Sequence, residues 1–89
     1  MRKDEVMEQT ARTAKQLGNA IRRERRIRDL TQKQLGSKVS LRQATVSKLE
    51  AGEPATQLRT LLDVLTALNL EIVIRPRTTT SSSKIEDIF

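Results

Sequence analysis

The chain has 89 residues, with 17 lysines and arginines against 11 acids, a formal charge of +6 and 36% apolar residues. That length allows one small domain, whose thin core buries only roughly 60% of the unfolded surface and which a second copy can complete. There is no cysteine and no histidine, which removes disulfide scaffolds, thiolate zinc sites and the usual proton shuttle, so the chain reads as a non-enzyme with no catalytic residue, metal or cofactor.

Val6, Thr10, Ala14, Leu17 and Ile21 recur every three or four residues between polar neighbours, the period of an amphipathic helix. The pattern predicts a helix over about Lys15 to Arg28. Its apolar face before Gln16 is small, so continuation upstream to about Asp4 stays open and residues 1–14 form an extension. Asp29 interrupts the pattern. Thr31-Gln32-Lys33-Gln34 then reads as a capping box, threonine at the N-cap with glutamine three residues on. The helix it starts runs to about Val39, with Leu35 and Val39 inward.

Ser40-Leu41 makes a tight corner, and a third helix follows over about Arg42 to Ala51, with Val46 and Leu49 inward. Gly52-Glu53-Pro54 is a stop. Thr56 is the next candidate N-cap, and Leu58, Leu61, Leu62, Leu65 and Leu68 trace an apolar stripe that ends near Asn69, read as core and dimer packing. Leu70-Glu71-Ile72-Val73-Ile74-Arg75-Pro76 has the β-branched composition of a short strand closed by proline. A lone strand in a helical chain needs a partner, and the same strand of a second copy is the simplest one. The domain therefore spans residues 15–76. Residues 77–89 are expected to be a disordered Thr/Ser-rich tail, whose Ile85, Ile88 and Phe89 are either inert or a docking segment.

Charge is segregated along the chain. Arg12 to Lys48 holds eleven basic residues against Glu24 and Asp29, a local +9, while the remainder carries a net −3. Such a block is either a solvated helix face or the footprint of a polyanion. Phe89 is the sole aromatic, which argues against base-stacking platforms for single strands. No apolar run approaches the ~18–20 residues of a membrane span, and the acid-containing start is not a secretory signal. A soluble, cytoplasmic protein is expected.

Two short helices, Thr31–Val39 and Arg42–Ala51, joined by a three- or four-residue corner have the spacing of a helix-turn-helix. In that motif the first helix directs its N-terminal donors at a phosphate and the second lies in the major groove. Residues at the start of the second helix must be polar enough to read base edges and short enough to let the backbone approach. Gln43, Ala44, Thr45, Ser47 and Lys48 meet that need. Glutamine can bond the N6/N7 edge of adenine, the methyls of Ala44 and Thr45 can touch thymine, and Arg42 can bond guanine or a phosphate. The alternative is a small helical bundle with polar outer faces.

LTQKQLGSKVSLRQATVSKLEAG resembles the helix-turn-helix core of the lambda-repressor/Cro-like family, in a frame running from Leu17 through Leu68. RQATVSKLEAG, TLLDVLTALNL and the trailing LEIVIRPR together resemble HipB-type antitoxins. The resemblance implies an all-α, four- to five-helix domain whose short C-terminal strand (Leu70, Ile72, Val73, Ile74) pairs across a homodimer. It implies palindromic operator DNA, repression of the chain's own operon and a HipA-type serine/threonine kinase toxin as partner. By position, Thr31 and Gln32 match phosphate-clamping residues, and Lys33 and Lys38 lie where the second helix crosses the backbone. Arg42, Gln43, Ala44, Thr45 and Ser47 match base-reading positions, with Lys48 at the next exposed one. Arg25 and Glu50 match an internal ion pair, which removes Arg25 from the DNA contacts.

Four positions depart from the family pattern. Ser40 and Asp29 stand where relatives carry glycine or its equivalent, and a serine at positive φ costs about 1 kcal/mol. Glu24 is charged where many relatives are apolar, and Ile27 is the reverse. Two other functional readings compete with the antitoxin: a stand-alone dimeric regulator without a toxin, and an interaction module whose helix-turn-helix no longer binds DNA.

Overall fold

The computed structural model describes residues 8–77. Along them run α1 (Ala14–Ile27), α2 (Gln32–Lys38), α3 (Gln43–Glu50) and α4 (Leu58–Ala67), with no β-strand among the described residues. The upstream limit of α1 is set by its cap. Thr13 is extended (φ −137°, ψ 161°) and its Oγ1 accepts from the Gln16 amide at 3.0 Å. The Gln16 side chain in turn accepts from the Arg12 amide at 2.7 Å. These bonds close the helix end, and residues 8–12 are not helical. Continuation toward Asp4 is thus excluded over those residues, and residues 1–7 lie outside the described ones, as do Ile85, Ile88 and Phe89.

At α2 the capping box is complete: the Gln34 amide donates to Thr31 Oγ1 at 3.0 Å, and the Thr31 amide donates to Gln34 Oε1 at 2.8 Å. The cap of α4 differs from expectation. Gln57, not Thr56, occupies the N-cap without a side-chain bond, because the Thr56 hydroxyl donates to the Glu53 carbonyl at 2.9 Å.

All four helices end in the same way. A residue with positive φ follows the C-cap, and the next amide reaches back to a carbonyl five residues earlier, as in a Schellman motif. The bonds are Leu30 to Arg25 (3.2 Å), Leu41 to Gly36 (2.8 Å), Glu53 to Lys48 (3.0 Å) and Leu70 to Leu65 (2.8 Å). The left-handed residues are Asp29 (φ 56°), Ser40 (φ 59°), Gly52 (φ 90°) and Asn69 (φ 59°). Three of the residues after them, Leu30, Leu41 and Leu70, fold back onto the core. The motif therefore turns the chain and adds apolar packing at once.

The core is Ile21 from α1, Leu35 from α2, Val46 and Leu49 from α3, and Val64, Leu65 and Leu68 in and after α4. Each such side chain contributes roughly 1.5–3 kcal/mol by leaving water. α3 is the central element, packed on α2 and α1, while α4 leans on α2. Close approach explains two glycines. A Cβ at Gly18 would fall on the carbonyl oxygens of Glu50 and Leu49, and one at Gly36 on the Leu41 carbonyl.

The leucine stripe divides. Leu65 and Leu68 are buried with Val64, which sequence spacing had left out, and Leu61 is half-buried, but Leu58 and Leu62 are 66% and 43% exposed. The expected strand does not form within the chain: residues 70–77 carry no regular structure. Leu70 packs on its own core, and its amide closes the end of α4. Ile72, Val73 and Ile74 are exposed. A side-chain tether holds this segment, Arg75 donating to Glu8 Oε1 and to Thr10 Oγ1, both at 3.1 Å.

Candidate nucleic-acid interface

The period of α3 sorts its residues onto two faces. Val46, Leu49 and Glu50 point into the protein, while Gln43, Ala44, Ser47 and Lys48 are exposed, as is Arg42 at the N-cap; Thr45 is half-buried between the faces. The six residues expected to read bases thus form one surface apart from the inward lean of Thr45. On α2, Lys33 and Lys38 are exposed. Thr31 is exposed too, with its oxygen already accepting from the Gln34 amide. α2 and α3 pack on each other through Leu35 and Val46, with the Leu41 carbonyl close over Gly36. The angle between the two helices is therefore fixed by the core.

Beneath that surface lies one fully buried carboxylate. Glu50 accepts from Arg25 twice, Nε to Oε2 at 2.6 Å and Nη2 to Oε1 at 3.0 Å. Its Oε1 also accepts from Gln32 Nε2 at 3.1 Å and Arg22 Nε at 3.5 Å. Arg25 spends a further donor on the Leu30 carbonyl at 2.7 Å. Burial pushes the Glu50 carboxyl up, but the hydrogen bonds from Arg25 and Gln32, with the Arg25 charge and Arg22 behind them, outweigh it and hold the group below its ordinary 4.5. No buried side-chain nitrogen or oxygen among the described residues lacks a partner.

The hub draws in two further residues. Gln32, which the resemblance places among the phosphate contacts, is half-buried and donates Nε2 to Glu50 Oε1; Lys33, one residue on, carries the exposed charge at that helix end. Arg22 belongs to the hub, a role that only its spacing of three from Arg25 on α1 hints at. Arg28 is also occupied, its Nη1 donating to Glu24 Oε1 and to the Glu24 carbonyl, both at 2.7 Å. Gln9 donates to the other oxygen of Glu24 at 2.7 Å. Glu24 is thus the centre of a small polar cluster, which explains a charge where relatives are apolar. No group of carboxylates able to hold a metal occurs among the described residues, and no described helix is long and apolar enough to cross a membrane.

A family model described as Helix-turn-helix matches residues 21–74. The chain belongs to that family. Among solved structures it is similar to a HipB chain in a "HipB-O4 20mer complex", with 30% identity over 80% of this chain and 100% of that one, at a TM-score of 0.75. A chain of a "HipA-HipB-O2-O3 complex" is similar at 30% identity, with 80% and 100% covered and a TM-score of 0.74. Curated protein sequences gave no match. As a helix-turn-helix family member with HipB-like architecture, the protein is a DNA-binding regulator.

Proposed function

We propose that the chain is a homodimeric, sequence-specific repressor that autoregulates its operon and acts as the antitoxin of a type II toxin–antitoxin pair, restraining a HipA-type serine/threonine kinase. The observation that carries the DNA reading is the exposed, nearly uncharged face of α3, Gln43, Ala44 and Ser47 with Thr45 at its margin, flanked by Arg42, Lys48 and Lys33. Uncharged groups choose the sequence by matching base edges, while the flanking cations bring affinity through the backbone. The antitoxin reading rests on the similarity to HipB chains, one of them in a complex with HipA.

In this reading Thr31, Gln32, Lys33 and Lys38 meet phosphates, with Gln32 set in place by Glu50. Two copies join through the segment of Leu70, Ile72, Val73 and Ile74, the last three of them exposed, as are Leu58 and Leu62. Pairing these segments across a dyad would satisfy their backbone groups, and the dyad would match a palindromic operator. The work of such a protein lies in the cytoplasm.

Binding to the region upstream of its own gene tests the reading. Gln43→Ala is expected to cost about 1–3 kcal/mol on the operator and to relax one base-pair preference, while Lys33→Ala weakens operator and random duplex alike and flattens the salt slope by about one. Equal losses on both duplexes for Gln43→Ala would remove base reading from α3. Co-purification with the product of a neighbouring kinase-like reading frame tests the toxin; a chain that represses with no such neighbour is the stand-alone regulator.

A further inference from the structure

One outer face of α1 carries Asn19, Arg22, Arg23, Arg26 and Ile27 side by side. We propose that this face is a second phosphate-binding strip, continuous with the α2 end of the interface, which extends the DNA footprint beyond the recognition helix. The proposal rests on the DNA-binding reading above and adds to it residues that neither the motif nor the resemblance assigns.

Three observations carry it. The face contains three arginines and no acid. A solvated helix face normally sets acids three or four residues from its cations, whereas here Arg22 and Arg26 stand at i,i+4 and Arg23 and Arg26 at i,i+3, repelling one another. Neither Arg23 nor Arg26 has an ion-pair partner among the described residues, and both are exposed. Arg28 on the same helix is already paired with Glu24 at 2.7 Å, so the helix holds both kinds of arginine side by side.

The third observation gives the strip its direction. Arg22 Nε and Gln32 Nε2 both donate to Glu50 Oε1, at 3.5 and 3.1 Å. Two donors on one oxygen are neighbours, so this end of the strip adjoins the start of α2, which carries the exposed Lys33. Arg26 lies one turn further along α1, about 6 Å of rise. A polyanion that meets Lys33 therefore passes Arg22, which Glu50 holds, onto the unpaired Arg23 and Arg26. Free guanidinium groups bind phosphate oxygens in a bidentate fashion and carry no sequence preference. DNA backbone is the occupant that this continuity favours over an acidic protein surface.

The salt dependence of binding to a 30-bp random-sequence duplex decides the matter for the full chain. Each neutralised phosphate contributes about 0.9 to the slope of log K against log salt. Arg23→Gln and Arg26→Gln should each flatten the slope by about one, as Lys33→Ala does, while Arg28→Gln should leave it close to wild type. Unchanged slopes for Arg23→Gln and Arg26→Gln, with Lys33→Ala still flattened, would overturn the strip and leave the DNA reading standing. Equal flattening by all of the arginine variants would overturn it too, since net charge alone would then account for the effect. A wild-type chain without salt-dependent binding would overturn the DNA reading and the strip together. Circular dichroism of each variant confirms that α1 is intact.

Discussion

Around the α2–α3 corner, a single buried acid gathers donors from α1 and α2, the capping box closes the start of α2, and Leu41 folds back to bond Gly36. After α4 the chain is the opposite: residues 71–77 are all exposed, Ile72, Val73 and Ile74 face solvent, and Arg75 is tethered to Glu8 and Thr10 at the surface. The first region is finished within one chain. The second presents apolar side chains and unused backbone groups, the condition of an edge awaiting a partner. A thin-cored chain thus spends its internal bonds on the α2–α3 corner and leaves the segment after α4 open, as the proposed pairing with a second copy requires.

The sharpest way to break that contrast is at Glu50. Glu50→Ala leaves Arg25 buried without its acceptor and is expected to lower stability by about 3–5 kcal/mol in urea denaturation. A loss below about 1 kcal/mol would show that the hub is not what holds the corner. Acid titration refines the point. The folded carboxyl ionises below its ordinary 4.5, so its contribution is fully present above about pH 4.5 and is lost as pH falls through the depressed folded value. Glu50→Gln should flatten that acid limb of the stability curve.

Val73→Pro comes next. Val73 is 65% exposed in the single chain, so far-UV circular dichroism should keep its helix signal, and the only stability lost should be the concentration-dependent part that a second copy adds. Sedimentation should nevertheless show dimer lost, because proline removes a ladder donor. An unaltered dimer would dispose of the strand role. The smallest effect is expected from Arg75→Ala, since an ion pair this exposed is worth roughly 0.2–1 kcal/mol. A cost in thermal unfolding as large as that of Glu50→Ala would make the C-terminal segment part of the single-chain core and erase the distinction between the two regions.

Local chemistry was legible in the sequence. The capping box at Thr31, the stop at Gly52 and the left-handed corners at Asp29 and Ser40 all arise from residues within six positions of each other. What escaped was long-range. Gln32 reads as a free amide at a helix start until Glu50, 18 residues away, claims it. Arg75 reads as the end of a strand until folding brings Glu8 beside it, 67 residues away. The leucine stripe reads as core and dimer packing together; within one chain Leu65 and Leu68 are core and Leu58 and Leu62 are exposed, while Val64, outside the stripe, is buried with the core leucines. Arginine identity was equally silent about use: Arg25 is buried, Arg28 is paired and Arg23 is free of ion pairs within one helix.

One consequence of the four matching helix ends concerns time. Three of them turn on Asp29, Ser40 and Asn69, and only the fourth uses glycine. Asparagine and aspartate tolerate the left-handed conformation; serine pays about 1 kcal/mol for it. That difference lowers the ratio of closed to open molecules about fivefold. A protease that cleaves only open molecules samples that population, so Ser40→Gly is expected to slow cleavage of the chain up to about fivefold in limited proteolysis, and an unchanged rate would show that the corner carries no such cost.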